Sequence, residues 1–325
     1  MTKGKIKAGI VGGAGYTGGE LVRLLLNHPS VELIFVQSRS QQGKPLSTIH
    51  KDLVGETNLS FSPLFDQPVD ILFLCLSHGE SKILLEKHTI DSNTRIIDLG
   101  NDFRLGGHAD GRTFVYGLPE FQRDAIRTSQ HIANPGCFAT TIQLGLLPLA
   151  KTGRLGTVHT TGITGSTGAG QKLQESTHFT WRTSNISAYK TLQHQHLDEI
   201  HQTLRSLQPG FGTVHFVPWR GDFARGIFVT SVMECSHSQE ELITLYKDFY
   251  RDHPFTHLSD QMVDIKQVVN TNKCFIYLEK IDRMLAVHSV TDNLLKGASG
   301  QAVQNMNLMF GLEETAGLKL KGSVF

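Results

Sequence analysis

The sequence has little to staple it, to anchor it in a bilayer or to draw it to a polyanion. Its four cysteines, at 75, 137, 235 and 274, form no CxxC pair. Three of them lie in apolar, strand-like segments, so they read as reduced thiols of a cytoplasmic protein and exclude a disulfide framework. An excess of one charge is also missing. The 31 basic and 30 acidic residues leave a formal net charge of +1, which gives no ground for a nucleic-acid or membrane partner. The longest apolar strings, such as Ile71-Leu72-Phe73-Leu74-Cys75-Leu76, are far too short to span a bilayer. Lys3-Gly4-Lys5-Ile6-Lys7 runs straight into a strand-like segment, with no secretory signal. There is no internal repeat, low-complexity tract or Ser/Gly linker.

What is present is a chain of 325 residues, too long for one ordinary core and suited to two domains. The first half alternates apolar strands with helices. Strands are expected at Ile6–Val11, Val31–Gln37, 71–76 and 95–99. Helices are expected at 18–26, with Leu21, Leu24 and Leu25 on one face, and at Glu80–Lys87. This βαβ order predicts a doubly wound parallel sheet. After about residue 150 the strands become longer and more alternating, at 157–162, 212–217, 226–235 and 274–279. With helices at 192–207 and 238–250 they predict an α+β domain with a mostly antiparallel sheet. A final amphipathic helix is expected at 298–310.

Ile6–Val11 leads into Gly12-Gly13-Ala14-Gly15-Tyr16-Thr17-Gly18 and then a helix. Gly13, Gly15 and Gly18 satisfy GxGxxG in the strand–turn–helix context that lets backbone approach a pyrophosphate. The bland alternative is a glycine-rich turn with no ligand. The second strand ends in Gln37-Ser38-Arg39-Ser40, where an NAD site carries Asp or Glu. Hydroxyls and a planar guanidinium suit a 2′-phosphate, so the cofactor is read as NADP(H), against Arg39 as an ordinary exposed arginine.

Asn134-Pro135-Gly136-Cys137 sets a cysteine after a turn and before the helix-like run from Phe138 to Leu147. At a helix start, unpaired N–H groups and the dipole favour a thiolate. The alternative is a small buried hydrophobe. Gln193-His194-Gln195-His196-Leu197-Asp198-Glu199-Ile200 offers two histidines for proton transfer. On a helix, residues two apart diverge, but just before a helix start one could face inward and the other support it. A metal reading of His194, His196, Asp198 and His201 finds no further ligand cluster, so no metal is expected. The loop from Thr164 to Lys172 carries successive N–H groups able to bind an anion, or is a plain surface loop. Arg220 and Arg225 lie in one constrained loop and are candidates for a substrate carboxylate or phosphate. Asn293 offers the complement of a carboxamide.

Together these segments resemble the N-acyl-γ-glutamyl-phosphate reductase family, usually called N-acetyl-γ-glutamyl-phosphate reductase. The matching motifs are Gly12–Gly18, Asp98-Leu99-Gly100-Asn101-Asp102-Phe103-Arg104-Leu105, Tyr116-Gly117-Leu118-Pro119-Glu120, Asn134–Cys137, His194–Ile200 and Asp292–Gln301. They occur in family order over nearly the whole chain. The resemblance implies NADP-dependent reductive dephosphorylation of an N-acyl-γ-glutamyl phosphate through a cysteine thioester, in arginine biosynthesis. It implies a Rossmann domain at 1–148, a glyceraldehyde-phosphate-dehydrogenase-like catalytic and dimerisation domain at 149–297, and a C-terminal segment at about 298–325 returning to the first domain. It places the nucleophile on Cys137 and the acid/base on His194. Substrate-binding candidates are Asn134, His196, Arg104, Arg225 and Lys172. Cofactor-binding candidates are Gly13, Gly15, Tyr16, Thr17, Gly18, Ser38, Arg39, Ser77, Ser166, Gly168 and Asn293. Family habit implies a homodimer or homotetramer.

The chain departs from the family at Phe138-Ala139, where Tyr-Pro is common, at Gln171, at Asp198 and in the loop Trp219-Arg220-Gly221-Asp222. These departures leave the acyl group open between acetyl and a larger or charged one such as succinyl, with Arg220 or Lys172 facing an additional carboxylate. Two rivals stand beside this reading. Aspartate-semialdehyde dehydrogenase shares the chemistry, and a non-catalytic NADP-binding sensor would have no use for a Cys/His pair.

Overall fold

The strand Ile6–Val11 (β1) is buried along its last four residues, as a parallel strand covered on both faces must be. A computed structural model describes residues 4–65 and 67–323. Within it β1 is the third strand of a seven-stranded sheet. The other strands of this region are Val31–Gln37 (β2), Phe61–Ser62 (β3), Ile71–Leu74 (β4), Arg95–Asp98 (β5), Val115–Tyr116 (β8) and His131–Ala133 (β9), with a small hairpin of His108–Ala109 (β6) and Arg112–Thr113 (β7) outside the sheet. The order is β3-β2-β1-β4-β5-β9-β8, and every pairing is parallel. Strand order therefore reverses between β1 and β4, and the carboxyl ends of those strands frame the crevice where such sheets bind ligands. Helices Tyr16–Leu26 (α1), Glu80–Lys87 (α2) and Pro119–Thr128 (α3) make the connections.

One compact unit comprises the residues up to Pro135 together with Ala298–Lys319. Its last helix, Gly300–Met309, packs on α1 and α3. The expected amphipathic pattern is not what holds it. All ten residues are buried, and several of the polar ones bond within the unit, although Asn305 Oδ1 has no hydrogen-bond partner among the described residues. Asn305 Nδ2 donates to the Gly117 carbonyl at 2.9 Å and to Asn134 Oδ1 at 3.1 Å. Asn307 Nδ2 donates to the carbonyls of Glu314 and Ala316.

The second unit begins at Gly136, not near 149, and runs to Gly297, with the described residues from 320 on. The helix Cys137–Lys151 (α4) belongs to it because Phe138–Ala150 is buried throughout, against the strands and helices of that unit. Its sheet is built from Val158–Thr164 (β10), Ser187–Ala188 (β11), Val214–Arg220 (β12), Ile227–Glu234 (β13), Thr256–Leu258 (β14), Cys274–Ile281 (β15) and Met284–Thr291 (β16). The order is β11-β12-β10-β13-β16-β15-β14. Only β10–β12 and β14–β15 pair parallel, so the sheet is mixed and mostly antiparallel. The helices are α4, Phe179–Arg182 (α5), His196–Leu207 (α6) and Gln239–Tyr250 (α7). The four cysteines form no disulfide with one another. Among the described residues, no helix is long and apolar enough to cross a membrane.

Candidate active site

Cys137 is the first residue of α4, and Gly136 before it is extended, at φ −71° and ψ 153°. The thiol therefore sits beside the first-turn N–H groups, the end of a helix that favours negative charge. Two glycines hold the backbone bare around it. A Cβ on Gly136 would lie 2.3 Å from His196 Nε2, and one on Gly297 would lie 2.8 Å from Cys137 Cβ. Thr141 fixes the helix start from below. Its hydroxyl donates to the Cys137 carbonyl at 2.9 Å and lies 2.6 Å from the Thr291 hydroxyl on β16.

The two histidines meet because α6 starts at His196 and leaves His194 in the preceding turn. Their rings are 4.5 Å apart, edge to face. The His196 N–H donates to His194 Nδ1 at 3.2 Å, so neutral His194 carries its proton on Nε2. Phe138, Tyr189 and Phe216 surround the His194 ring at 5.7, 5.7 and 5.5 Å. Burial pushes His194 down to about 3, and the charges of His196 and Lys190 push the same way, against Glu199. Glu199, 3% exposed, accepts the Gly136 N–H on Oε2 at 3.1 Å and faces His196 Nε2 with Oε1 at 3.8 Å. Sequence reasoning did not single out Glu199 or Tyr189. His201 lies elsewhere, with Nε2 on the Thr213 hydroxyl and the Val214 N–H.

Several expected ligands in this unit are committed to the protein itself. The Arg225 Nε and Nη2 hold Asp292 at 3.0 and 3.1 Å, and Asp292 is fully buried. Asn293 accepts the Gly226 N–H at 2.8 Å and donates to the Thr167 hydroxyl at 3.0 Å. The glycine loop is not an open anion nest. The N–H groups of Gly165, Ser166 and Thr167 bond the carbonyls of Gly226, Phe223 and Ala224, and that of Gly168 turns back to Gly165. Ser166 and Gly168 thus brace the Arg225 loop. Lys172 is exposed in the following segment.

In the first unit, a cleft of ≈ 300 Å³ opens at the carboxyl ends of β1, β2 and β4. Gly12, Ala14, Gly15, Ser38, Arg39 and Ser77 line it, with Gln37, Phe65 and Glu80 among the others. The residues fit a dinucleotide. Gly12 takes φ +81° with its Cα face against the Cys75 carbonyl, and a Cβ on Gly18 would lie 2.6 Å from Gly13 Cα. A Cβ on Gly15 would meet only the Gly12 carbonyl, at 3.8 Å, so space is left above the turn. The second-strand end presents Ser38, Arg39 and Ser40 and no acidic side chain. Tyr16 and Thr17 are the first residues of α1 and do not line the cleft with their side chains. The Thr17 hydroxyl bonds the Cys75 thiol, and its carbonyl accepts from Ser299 Oγ at 2.8 Å.

The Asp102-Phe103-Arg104 segment is a brace. Asp102 accepts the N–H groups of Gly79 and Lys82 at 2.6 and 3.0 Å and so caps α2. Phe103 stacks on Phe114 at 4.0 Å. Arg104, 7% exposed, donates to the carbonyls of Asn134 and Leu99 at 2.9 and 3.0 Å. Asn134 is 1% exposed, and its amide is held by Ala298 and Asn305. Neither Arg104 nor Asn134 is presented to a ligand, because their polar atoms tie together strand ends inside the first unit.

Known proteins resemble the chain along its whole length. Residues 7–129 match the semialdehyde dehydrogenase NAD binding domain, and 137–293 match the semialdehyde dehydrogenase dimerisation domain. A protein of Parabacteroides distasonis named N-acetyl-gamma-glutamyl-phosphate reductase is 54% identical over 98% of this chain and 100% of its own length. The chain belongs to the N-acetyl-gamma-glutamyl-phosphate reductase family. Other reductases of that name, from Bacteroides thetaiotaomicron and Flavobacterium johnsoniae, are 53% and 52% identical, each over 98% of this chain and all of their own length. Among solved structures, aspartate semialdehyde dehydrogenase II of Vibrio cholerae superposes with a TM-score of 0.74 over 95% of this chain and 99% of its own. At 16% identity that likeness is one of fold, and it places the reductase family on the semialdehyde dehydrogenase architecture.

Proposed function

We propose that this chain reduces an N-acyl-L-γ-glutamyl phosphate to the N-acyl-L-glutamate semialdehyde with NADPH, releasing phosphate, as a step of arginine biosynthesis. The observation that carries this is Cys137 at the head of a buried helix with His194, His196 and Glu199 grouped at its start, in a chain 54% identical to a named reductase. Cys137 Sγ attacks the γ-carbonyl carbon. The S–C bond forms, the C–O bond to phosphate breaks, and phosphate leaves with that electron pair, giving a thioester. When bound, a reduced dinucleotide would supply the hydride for that thioester. Gly15, Ser38, Arg39 and Ser77, with the turn backbone at Gly13 and the α1 backbone at Tyr16, Thr17 and Gly18, would hold the dinucleotide. Arg39 and Ser38 take the 2′-phosphate that distinguishes NADP(H). The oxyanion of the tetrahedral adduct on Cys137 faces the α4 N–H groups and the Nε2–H of His194. Collapse breaks the C–S bond and returns the thiolate. His196, held by Glu199, keeps the His194 ring in its tautomer through its own N–H. In Cys137→Ser, phosphate-dependent turnover falls by at least about 1,000-fold. Near wild-type turnover in that variant would sink the proposal.

The same reading makes the enzyme a cytoplasmic homodimer. Cysteines that form no disulfide with one another support the compartment. Support for the dimer comes from the dimerisation-domain match and from a sheet face on which Phe228, Val232, Phe275 and Tyr277 stay only half-buried. A homotetramer built from two such dimers is the alternative assembly.

A further inference from the structure

Tyr189 connects the reactive group of the second unit to a pair of arginines. Its ring lies 5.7 Å from that of His194, and burial first, then the charge of Cys137, pushes its phenol up. On Tyr189 lies the guanidinium of Arg220, 4.7 Å from the ring centroid. The short strand β11 sets this geometry, pairing Ser187 with Arg220 and Ala188 with Trp219. Arg182 comes up behind, its Nη1 donating to the Arg220 carbonyl at 3.1 Å and its Nη2 to the Ser187 hydroxyl at 3.3 Å.

The pair is short of negative charge. Arg182 is 6% exposed, and the Nε of both arginines is buried with no hydrogen-bond partner among the described residues. The nearby carboxylate, Asp222, is exposed and bonds the Ser184 N–H. Two guanidiniums close together and under-compensated repel each other unless an anion joins them. Arg220 is only partly buried, so a ligand can reach it. A planar fork there matches a carboxylate. The phosphate of the substrate sits on the carbon that Cys137 attacks, whereas Arg220 stands on the Tyr189 ring, one aromatic ring beyond His194. A remote carboxylate fits that position better.

We propose that Arg220, backed by Arg182 and oriented by Tyr189, binds a carboxylate of the N-acyl-glutamyl substrate remote from its reacting carbon. The proposal rests on the reductase reading above, and two sources of that carboxylate exist. One is the α-carboxylate, present in every N-acyl-glutamyl compound. The other is a second carboxylate on a dicarboxylic acyl group such as succinyl.

The test uses Arg220→Met and Arg220→Lys in the full-length enzyme, run in the oxidative direction with N-acetyl- and N-succinyl-glutamate semialdehyde, phosphate and NADP. The expected result is a KM at least about tenfold higher in Arg220→Met with kcat little changed, partly restored in Arg220→Lys. A rise for both semialdehydes assigns the α-carboxylate. A rise for the succinyl compound alone assigns the acyl carboxylate. Unchanged KM for both, or a rise only in the KM for phosphate, overturns the proposal. Protection of Cys137 from iodoacetamide by N-acetyl- and N-succinyl-glutamate needs no turnover. Loss of protection in Arg220→Met, kept in wild type, supports the arginine site even if wild type oxidises neither semialdehyde, an outcome that would defeat only the reductase reading. Equal protection in wild type and Arg220→Met counts against the site.

Discussion

At Gly136 a single methyl group would meet a histidine. Its Cβ would stand 2.3 Å from His196 Nε2, and its N–H is the one Glu199 holds. Gly136→Ala is predicted to displace the His196 ring and cost about 100-fold in kcat, with the protein still folded. Unchanged kcat with an unchanged melting temperature would contradict the geometry. Cys137 itself was legible, because a Pro-Gly turn before an apolar helix puts a thiol at a helix start whatever the surroundings. Glu199 and Tyr189 were not, since their roles come from neighbours distant in sequence. Arg225 and Asn293 read as ligands for the complementary reason. A polar residue in a loop looks available until the fold supplies Asp292, Thr167 and Gly226 as its partners.

Helix α2 depends on a residue outside it. Gly79 before it has φ 84° and no side chain to cap with, and Asp102 takes the N–H groups of Gly79 and Lys82 instead. Asp102→Ala is predicted to lower stability by about 1 kcal/mol, or about 1.5 °C in melting temperature for a chain of this size. No shift in a thermal melt would show that the cap is idle. The strands Ile6–Val11 and Val31–Gln37 and the helix Glu80–Lys87 were legible residue for residue because period and breakers agree there. The helix expected from 192 starts only at His196, because Lys190 and Leu192 take left-handed backbone, which periodicity cannot register. The final helix misled by its polar residues. Gln304, Asn305 and Asn307 look like a solvent face, yet each finds a partner within the unit.

Over the whole molecule, buried neutral histidines dominate the acid response. Burial lowers His28, His50, His131, His194, His201 and His257 from 6.5, His131 to about 4 and His194 to about 3. A depressed folded value means that the unfolded chain takes up protons first, so their contribution is complete above 6.5 and is lost as pH falls below it. Asp98 acts in the opposite sense. Burial raises it from 3.8 to about 6, which favours the folded state at low pH, an advantage lost as pH rises through that window. With six histidines against one carboxylate, the melting temperature is predicted to fall steeply from pH 6.5 to pH 4. A flat profile there would contradict it. At neutral pH, sedimentation is predicted to give twice the mass of one chain, and Val232→Arg on the half-buried sheet face to give a monomer. A monomeric wild type would refute that interface. The two-unit architecture was legible from the change in strand character near 150, but its boundary was not. Helix α4 follows the first unit's last strand in sequence, yet its buried face belongs to the second unit.

The central claim is a covalent acyl group on Cys137. It is tested most directly by mixing the enzyme with N-acyl-γ-glutamyl phosphate in the absence of NADPH, quenching in acid and mapping peptides by mass spectrometry. The predicted result is the mass of the N-acyl-glutamyl group on the peptide containing Cys137, released phosphate in equal amount, and no adduct in Cys137→Ser. An unmodified Cys137 in an enzyme that turns over normally when NADPH is added would contradict it.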